Sequence, residues 1–121
     1  MKAVHLKKNE DFRKVFKTGK SYADRYFVMY VKKRENEESE IRVGISVSKK
    51  VGNSVVRHRI ARVVREAFRL YGSMFNSGLD IVVIARTGAV GVGLNDAVNS
   101  FRHLGKLHKI MKPVPSEQNA E

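Results

Sequence analysis

The chain has 121 residues, 42% hydrophobic and 30% charged, a balance that suits one globular domain with a real core. It has no cysteine, which excludes a disulfide framework and thiolate metal sites, and no apolar run near the ~20 residues that cross a bilayer. Its 24 Lys/Arg against 12 Asp/Glu leave a net charge of +12. An anionic partner is therefore expected, nucleic acid first, because Lys/Arg contacts to phosphate release counterions.

The N-terminal MKAVHLKKNEDF is too polar for a secretory signal, and a cytoplasmic protein is expected. A short helix opens at NEDF, residues 9–12. Asn9 suits its N-cap, Glu10 and Asp11 suit the positive pole of its dipole, and Gly19 suits the left-handed C′ position. Phe12, Val15 and Phe16 fall at i, i+3 and i+4 on one face, a spacing that by itself reads as core. Residues 26–33, YFVMYVKK, read as a strand. Tyr26, Val28 and Tyr30 share one face; Phe27, Met29 and Val31 share the other. The acidic ENEESE at 35–40 reads as a solvated hairpin loop, since consecutive carboxylates lack the spacing of a metal site.

Residues 41–48, IRVGISVS, alternate strictly. Ile41, Val43, Ile45 and Val47 point one way, Arg42, Gly44, Ser46 and Ser48 the other. A face of Gly and Ser leaves a shallow groove into which another chain could settle.

Residues 49–71, KKVGNSVVRHRIARVVREAFRLY, carry seven Lys/Arg against Glu66 alone, half of the whole net charge. With Asn53 or Ser54 as N-cap they form a helix from about residue 54 to 71, at ~100° per residue. Ile60, Val64, Ala67, Phe68 and Tyr71 share its core face. His58, Arg62, Arg65 and Arg69 make a stripe along the flank, with Arg57 and Arg59 near the start. Arginines without acids at i±4 are suited to bidentate phosphate contacts. Lys49 and Lys50 extend the positive field into the Gly52-Asn53-Ser54 loop, where backbone N–H groups at the helix start also favour an anion. The loop does not match G-x-x-x-x-G-K-[ST], so nucleotide hydrolysis is unsupported.

Residues 79–86, LDIVVIAR, read as a buried strand. The TGAVGVG that follows lacks the spacing of a dinucleotide fingerprint. A last helix is expected over 95–111, with Ala97, Val98, Phe101, Leu104, Leu107 and Met111 facing the core. His103 and His108, five apart, are badly spaced to share a metal on a helix. Residues 113–121 are expected to be a disordered tail, leaving 1–112 as a single domain. The order is helix, strands, helix, strand, helix, with a β-α-β unit through the basic helix. No two-metal carboxylate cluster and no Ser/His/Asp arrangement can be argued from spacing, which favours a binder over an enzyme.

VGNSVVRHRIARVVREAF at 51–68 resembles the arginine-rich signature of the bacterial ribonuclease P protein subunit. The similarity extends, in the family's order, through KNEDFRKVF at 8–16, YFVMY at 26–30, RVGISVSKK at 42–50 and DIVVIAR at 80–86. One arginine motif is weak; five ordered blocks are specific. The resemblance implies that 1–112 is an RNA-binding domain of α/β fold with a central four-stranded mixed sheet and a left-handed β-α-β crossover. It implies a partner catalytic RNA, bound 1:1, and a precursor tRNA substrate whose 5′ leader is removed by hydrolysis, with Mg²⁺ held mainly by the RNA and no organic cofactor. It places Lys49, Lys50, Asn53, Arg57, His58, Arg59, Arg62, Arg65 and Arg69 against the RNA subunit. It lines a leader-binding cleft with Phe12, Phe16 and Tyr30, with Ser46, Ser48, Lys49 and Arg86 nearby. Two positions depart from the signature: His58 replaces an Asn and Ala61 a Lys. The alternatives are a structural RNA-binding protein such as a ribosomal component and, more distantly, a DNA-binding helix-turn-helix, disfavoured because the basic helix lies between strands.

Overall fold

The computed structural model describes residues 3–6, 8–34 and 40–113. The loop expected over 35–40 and the tail expected from 113 thus lie outside the described residues, except for Glu40 and Pro113. In chain order come β1 (Ala3–His5), α1 (Asn9–Thr18), β2 (Lys20–Ala23), β3 (Phe27–Lys33), β4 (Ile41–Ser46), α2 (Ser54–Tyr71), β5 (Leu79–Ala85) and α3 (Leu94–His108). Short 3-10 turns follow α2 and β5.

The strands make one mixed sheet in the order β1-β4-β5-β3-β2. β4 and β5 are parallel neighbours joined through α2, which is the expected β-α-β unit. β3 runs antiparallel to both β5 and β2. The expected four-stranded sheet is β4-β5-β3-β2, and β1 adds a three-residue edge parallel to β4. β2 escaped the sequence reading because all four of its residues are exposed, so it has no apolar alternation.

Alternation decides which face each strand buries. Phe27, Met29 and Val31 of β3 and Ile41 and Val43 of β4 meet Ile60, Val64, Ala67 and Phe68 of α2 and Phe101 and Leu104 of α3 in the main core. Four rings run through it: Phe27–Phe101 at 4.8 Å, Phe101–Phe68 at 5.0 Å and Phe68–Phe75 at 5.6 Å between centroids. They tie β3, α3, α2 and the α2–β5 connection together, each pair worth about 1 kcal/mol beyond area burial. The opposite face is only partly covered. There α1 buries Val15 against Leu6 and Val82, with Phe12, Tyr30 and Ile84 packed around them.

Several helix ends differ from expectation. Asn9 is the first helical residue of α1, and Lys8 holds the N-cap position without a side-chain bond. Gly19 is extended (φ −82°), not left-handed. It is needed for space, since a Cβ there would lie 2.5 Å from the Val15 carbonyl oxygen and 2.8 Å from that of Val31. α3 stops at His108 because Lys109 turns left-handed (φ 60°) and its N–H caps the Gly105 and Lys106 carbonyls. Leu107 and Tyr71 are therefore not core: both stand exposed at helix ends. Met111 lies beyond α3, bridged to Phe75.

Candidate nucleic-acid interface

The α2 helix starts where the sequence placed it. Asn53 is the N-cap, and its Oδ1 accepts the Val56 N–H at 3.0 Å, an interaction typically worth about 1 kcal/mol. Lys49 and Lys50 sit exposed in the preceding turn, where the Ser48 hydroxyl accepts the Lys50 N–H. His58, Arg59, Arg62, Arg65 and Arg69 are exposed along α2, opposite the buried Ile60, Val64 and Phe68. Their periodicity is simple helix geometry: the core residues consume one arc, and the cations take what remains.

Two arginines behave differently from the rest. Arg69 is clamped by Glu66, whose carboxylate accepts from both Nε and Nη2 of the guanidinium. Those hydrogen bonds hold the Glu66 carboxyl below its ordinary range and raise Arg69. Arg57 is half-buried, on the same helical arc as Val64 and Phe68, and its Nε is buried without a hydrogen-bond partner among the described residues. Among the described residues, the α2 arginines without a hydrogen-bonded acid that remain exposed are thus Arg59, Arg62 and Arg65, of which Arg62 also acts through charge on Glu66. Arg59 and Arg62 also border a 260 Å³ groove floored by Val63 and Leu94.

On the other sheet face, Phe12, Phe16 and Tyr30 come together as expected. Phe16 meets Tyr30 edge-on at 5.0 Å and 86°, and lies 6.5 Å from Phe12. The expectation that both Phe rings are plain core fails: Val15 takes the buried position, and Phe16 remains 41% exposed. Phe12, Phe16 and Ser46 line a 360 Å³ groove together with Asn9, Arg13 and Ile45, which the sequence reading did not assign to it. Register explains the arrangement. Gly44, Val82 and Tyr30 form one cross-strand row beneath α1, and Ser46, Ile84 and Val28 form the next row.

Ser48 lies past the end of β4, exposed in the turn. Arg86 is not among the groove's lining residues. Its Nη1 donates to the Asp24 carbonyl at 2.7 Å, a charge-assisted bond that turns the guanidinium to the β2–β3 turn. The floor of the α1 face ends in a buried ion cluster absent from the sequence reading. Asp80, 3% exposed, accepts two bonds from Arg42 at 2.7 Å each and one from Arg34 at 2.8 Å. Burial alone would raise the Asp80 carboxyl, but the Arg42 and Arg34 hydrogen bonds outweigh it and hold it below the usual carboxylate range. Arg42 and Asp80 are register partners, a fact no single-strand pattern discloses.

Among the described residues, no three His, Asp or Glu side chains converge to hold a metal ion. No described helix is long and apolar enough to cross a membrane.

The family model for ribonuclease P matches residues 1–109. The chain belongs to the ribonuclease P protein family. The ribonuclease P protein component of Lachnoclostridium phytofermentans is 54% identical over 114 residues, covering 94% of this chain and 97% of the relative. Among solved structures, the Staphylococcus aureus RNase P protein superposes with a TM-score of 0.79 at 41% identity, over 92% of this chain and all of that one. The RNase P protein of Thermotoga maritima gives 0.75 at 33% identity, over 85% and 96%. Membership in the ribonuclease P family makes the chain an RNA-binding component of a nuclease of tRNA processing, with an RNA subunit as partner.

Proposed function

We propose that this ribonuclease P protein docks on its RNA subunit through the exposed arginines of α2. The groove between α1 and the sheet takes the single-stranded 5′ leader of precursor tRNA. One observation carries the second half: Phe16 is left 41% exposed, edge-on to Tyr30, at the mouth of a groove bordered by Arg13 and Ser46. An aromatic platform beside a cation is what stacking on unpaired bases requires, at about 1–3 kcal/mol per base. A ribosomal component would have no use for such a groove.

The protein binds and positions; hydrolysis of the phosphodiester belongs to the RNA subunit, which holds the Mg²⁺. The assembly acts in the cytoplasm with one protein per RNA.

Reconstitution tests the reading. The chain alone cleaves nothing, and adding it lets the cognate RNA remove the leader at low Mg²⁺. Affinity rises as the 5′ leader grows from none to a few nucleotides. Equal affinity for leaderless and leader-bearing tRNA would remove the groove's role.

A further inference from the structure

A second basic surface lies away from both α2 and the Phe12 groove. At the β2 edge of the sheet, Lys20 of β2 and Lys32 and Lys33 of β3 border a 410 Å³ groove floored by Val31 and Ile110. His108, the last residue of α3, forms a wall. Its ring is fixed: Nε2–H donates to the Met29 carbonyl at 2.8 Å, and Tyr22 of β2 meets it edge-on at 4.7 Å. Tyr22 itself is 40% exposed.

Lysines often do no more than balance the negative ends of helices, and α1 and α3 both end here. That accounts for Lys17 and Lys106, in the last turns of those helices. It does not account for Lys20, Lys32 and Lys33, which come from strands. Some of the terminal carbonyls are also already capped, Val15 by the Gly19 N–H, and Gly105 and Lys106 by those of Lys109 and Ile110. Among the described residues, none of the three lysines has an ion-pair partner. Three unpaired cations around one concavity repel each other, a cost that an anion held between them would reverse.

From β4 to β2 is three strand spacings, about 14 Å, and α3 stands over β2 and β3 on the same sheet face as α2. The lysine groove is thus a separate surface from the α2 stripe, and it shares no lining residue with the Phe12 groove, although Thr18 of α1 and Lys32, on the Tyr30 face of β3, carry it around the sheet edge. Its make-up of three spread cations and a fixed imidazole, backed by the Tyr22 ring, matches an extended nucleic-acid backbone rather than an isolated small anion.

We infer that the groove formed by Lys20, Lys32, Lys33 and His108 is a further phosphodiester-binding site, which grips an RNA strand that neither α2 nor the Phe12 groove contacts. The inference rests on the proposed function only in taking RNA as the ligand. The strand comes either from the RNA subunit or from the body of precursor tRNA, and the two sources separate by experiment.

The test uses the full chain and the K20Q/K33Q variant, both positions being exposed so that the fold tolerates the change. Affinity is measured against salt in two arms: protein with the RNA subunit, and the assembled complex with leaderless tRNA. Loss of two phosphate contacts is expected to flatten the log–log salt slope by about 1.5 units in one arm, with roughly ten-fold weaker binding near 150 mM salt. A change in the first arm assigns the strand to the RNA subunit; a change in the second assigns it to tRNA. Wild-type slopes and affinities in both arms, with an unchanged melting temperature, would overturn this inference alone. A wild-type chain that bound neither RNA would overturn it together with the proposed function.

Discussion

The ring of Phe12 lies over Gly44. A Cβ built on Gly44 would come within 2.6 Å of both Cε1 and Cζ of that ring, and within 3.3 Å of the Leu6 Cβ. The glycine therefore sets how deeply α1 sits on the sheet, and with it the shape of the groove beside Phe16. Gly44→Ala is expected to push the Phe12 ring outward, at a cost of about 1–3 kcal/mol of stability. Chemical denaturation checks the stability, and a leader-length series checks the groove. The variant should retain RNA-subunit affinity while losing part of its preference for leader-bearing tRNA.

Phe16→Ala separates binding from folding. The ring is substantially exposed, so its removal costs little stability, while one lost stacking platform weakens leader binding by about 1 kcal/mol or more, roughly five-fold. Leaderless tRNA should bind as before. An equal loss for both substrates would mean that Phe16 supports the fold and not the leader.

Arg65 and Arg69 stand on one stripe yet should differ. Arg65 has no acid clamped to it among the described residues, whereas Arg69 is held by Glu66. Arg65→Ala is expected to flatten the salt slope of RNA-subunit binding by about one unit. Arg69→Ala should have a smaller effect, because an RNA phosphate must first displace the Glu66 carboxylate. Salt titrations of both variants side by side decide the point.

Asp80→Asn should be among the most damaging single changes away from the interface. It removes the buried charge on which Arg42 and Arg34 converge, at roughly 3 kcal/mol. The melting temperature should fall by roughly 10 °C. The carboxyl is held low in the fold, so its contribution is complete above the ordinary Asp range near 3.8 and disappears as pH falls below it. The variant should lose that acid limb of the wild-type stability profile.

His108 gives a second pH limb. Burial holds its imidazole below the ordinary 6.5, opposed by the Met29 hydrogen bond and assisted by Lys20. The groups around it are the Tyr22 ring, the Met29 carbonyl and Lys20, with Lys32 and Lys33 across the groove. The fold favours the neutral ring, so stability is full above pH 6.5 and declines as pH falls from there through the lowered folded value. His108→Gln should flatten the stability profile across that window. Bound RNA phosphate in the lysine groove should move the His108 titration, followed by NMR, upward toward 6.5 or beyond.

Much of α2 was legible in the sequence because its determinants are local. Asn53 caps the helix through a neighbour three residues on, and the 3.6-residue period divides arginines from core residues without reference to the rest of the chain. The same holds for the buried faces of β3, β4 and β5, where period-two alternation is intrinsic to a strand. Docking and register are not local. Whether Val15 or Phe16 is buried depends on where α1 lands on the sheet, and both share its apolar stripe. Arg42 reaches Asp80 because β4 and β5 pair in one register; a slip by one residue would put the charges on opposite faces. The lysine groove joins residues of β2, β3 and α3, two of which elements are recognisable from periodicity and one, the wholly exposed β2, is not. Composition and helical period thus determined that this protein carries a strongly cationic helix suited to a polyanion, and which of its faces is core. Only the tertiary packing decided which aromatic ring faces the groove, which arginine is already occupied, and where further cations gather.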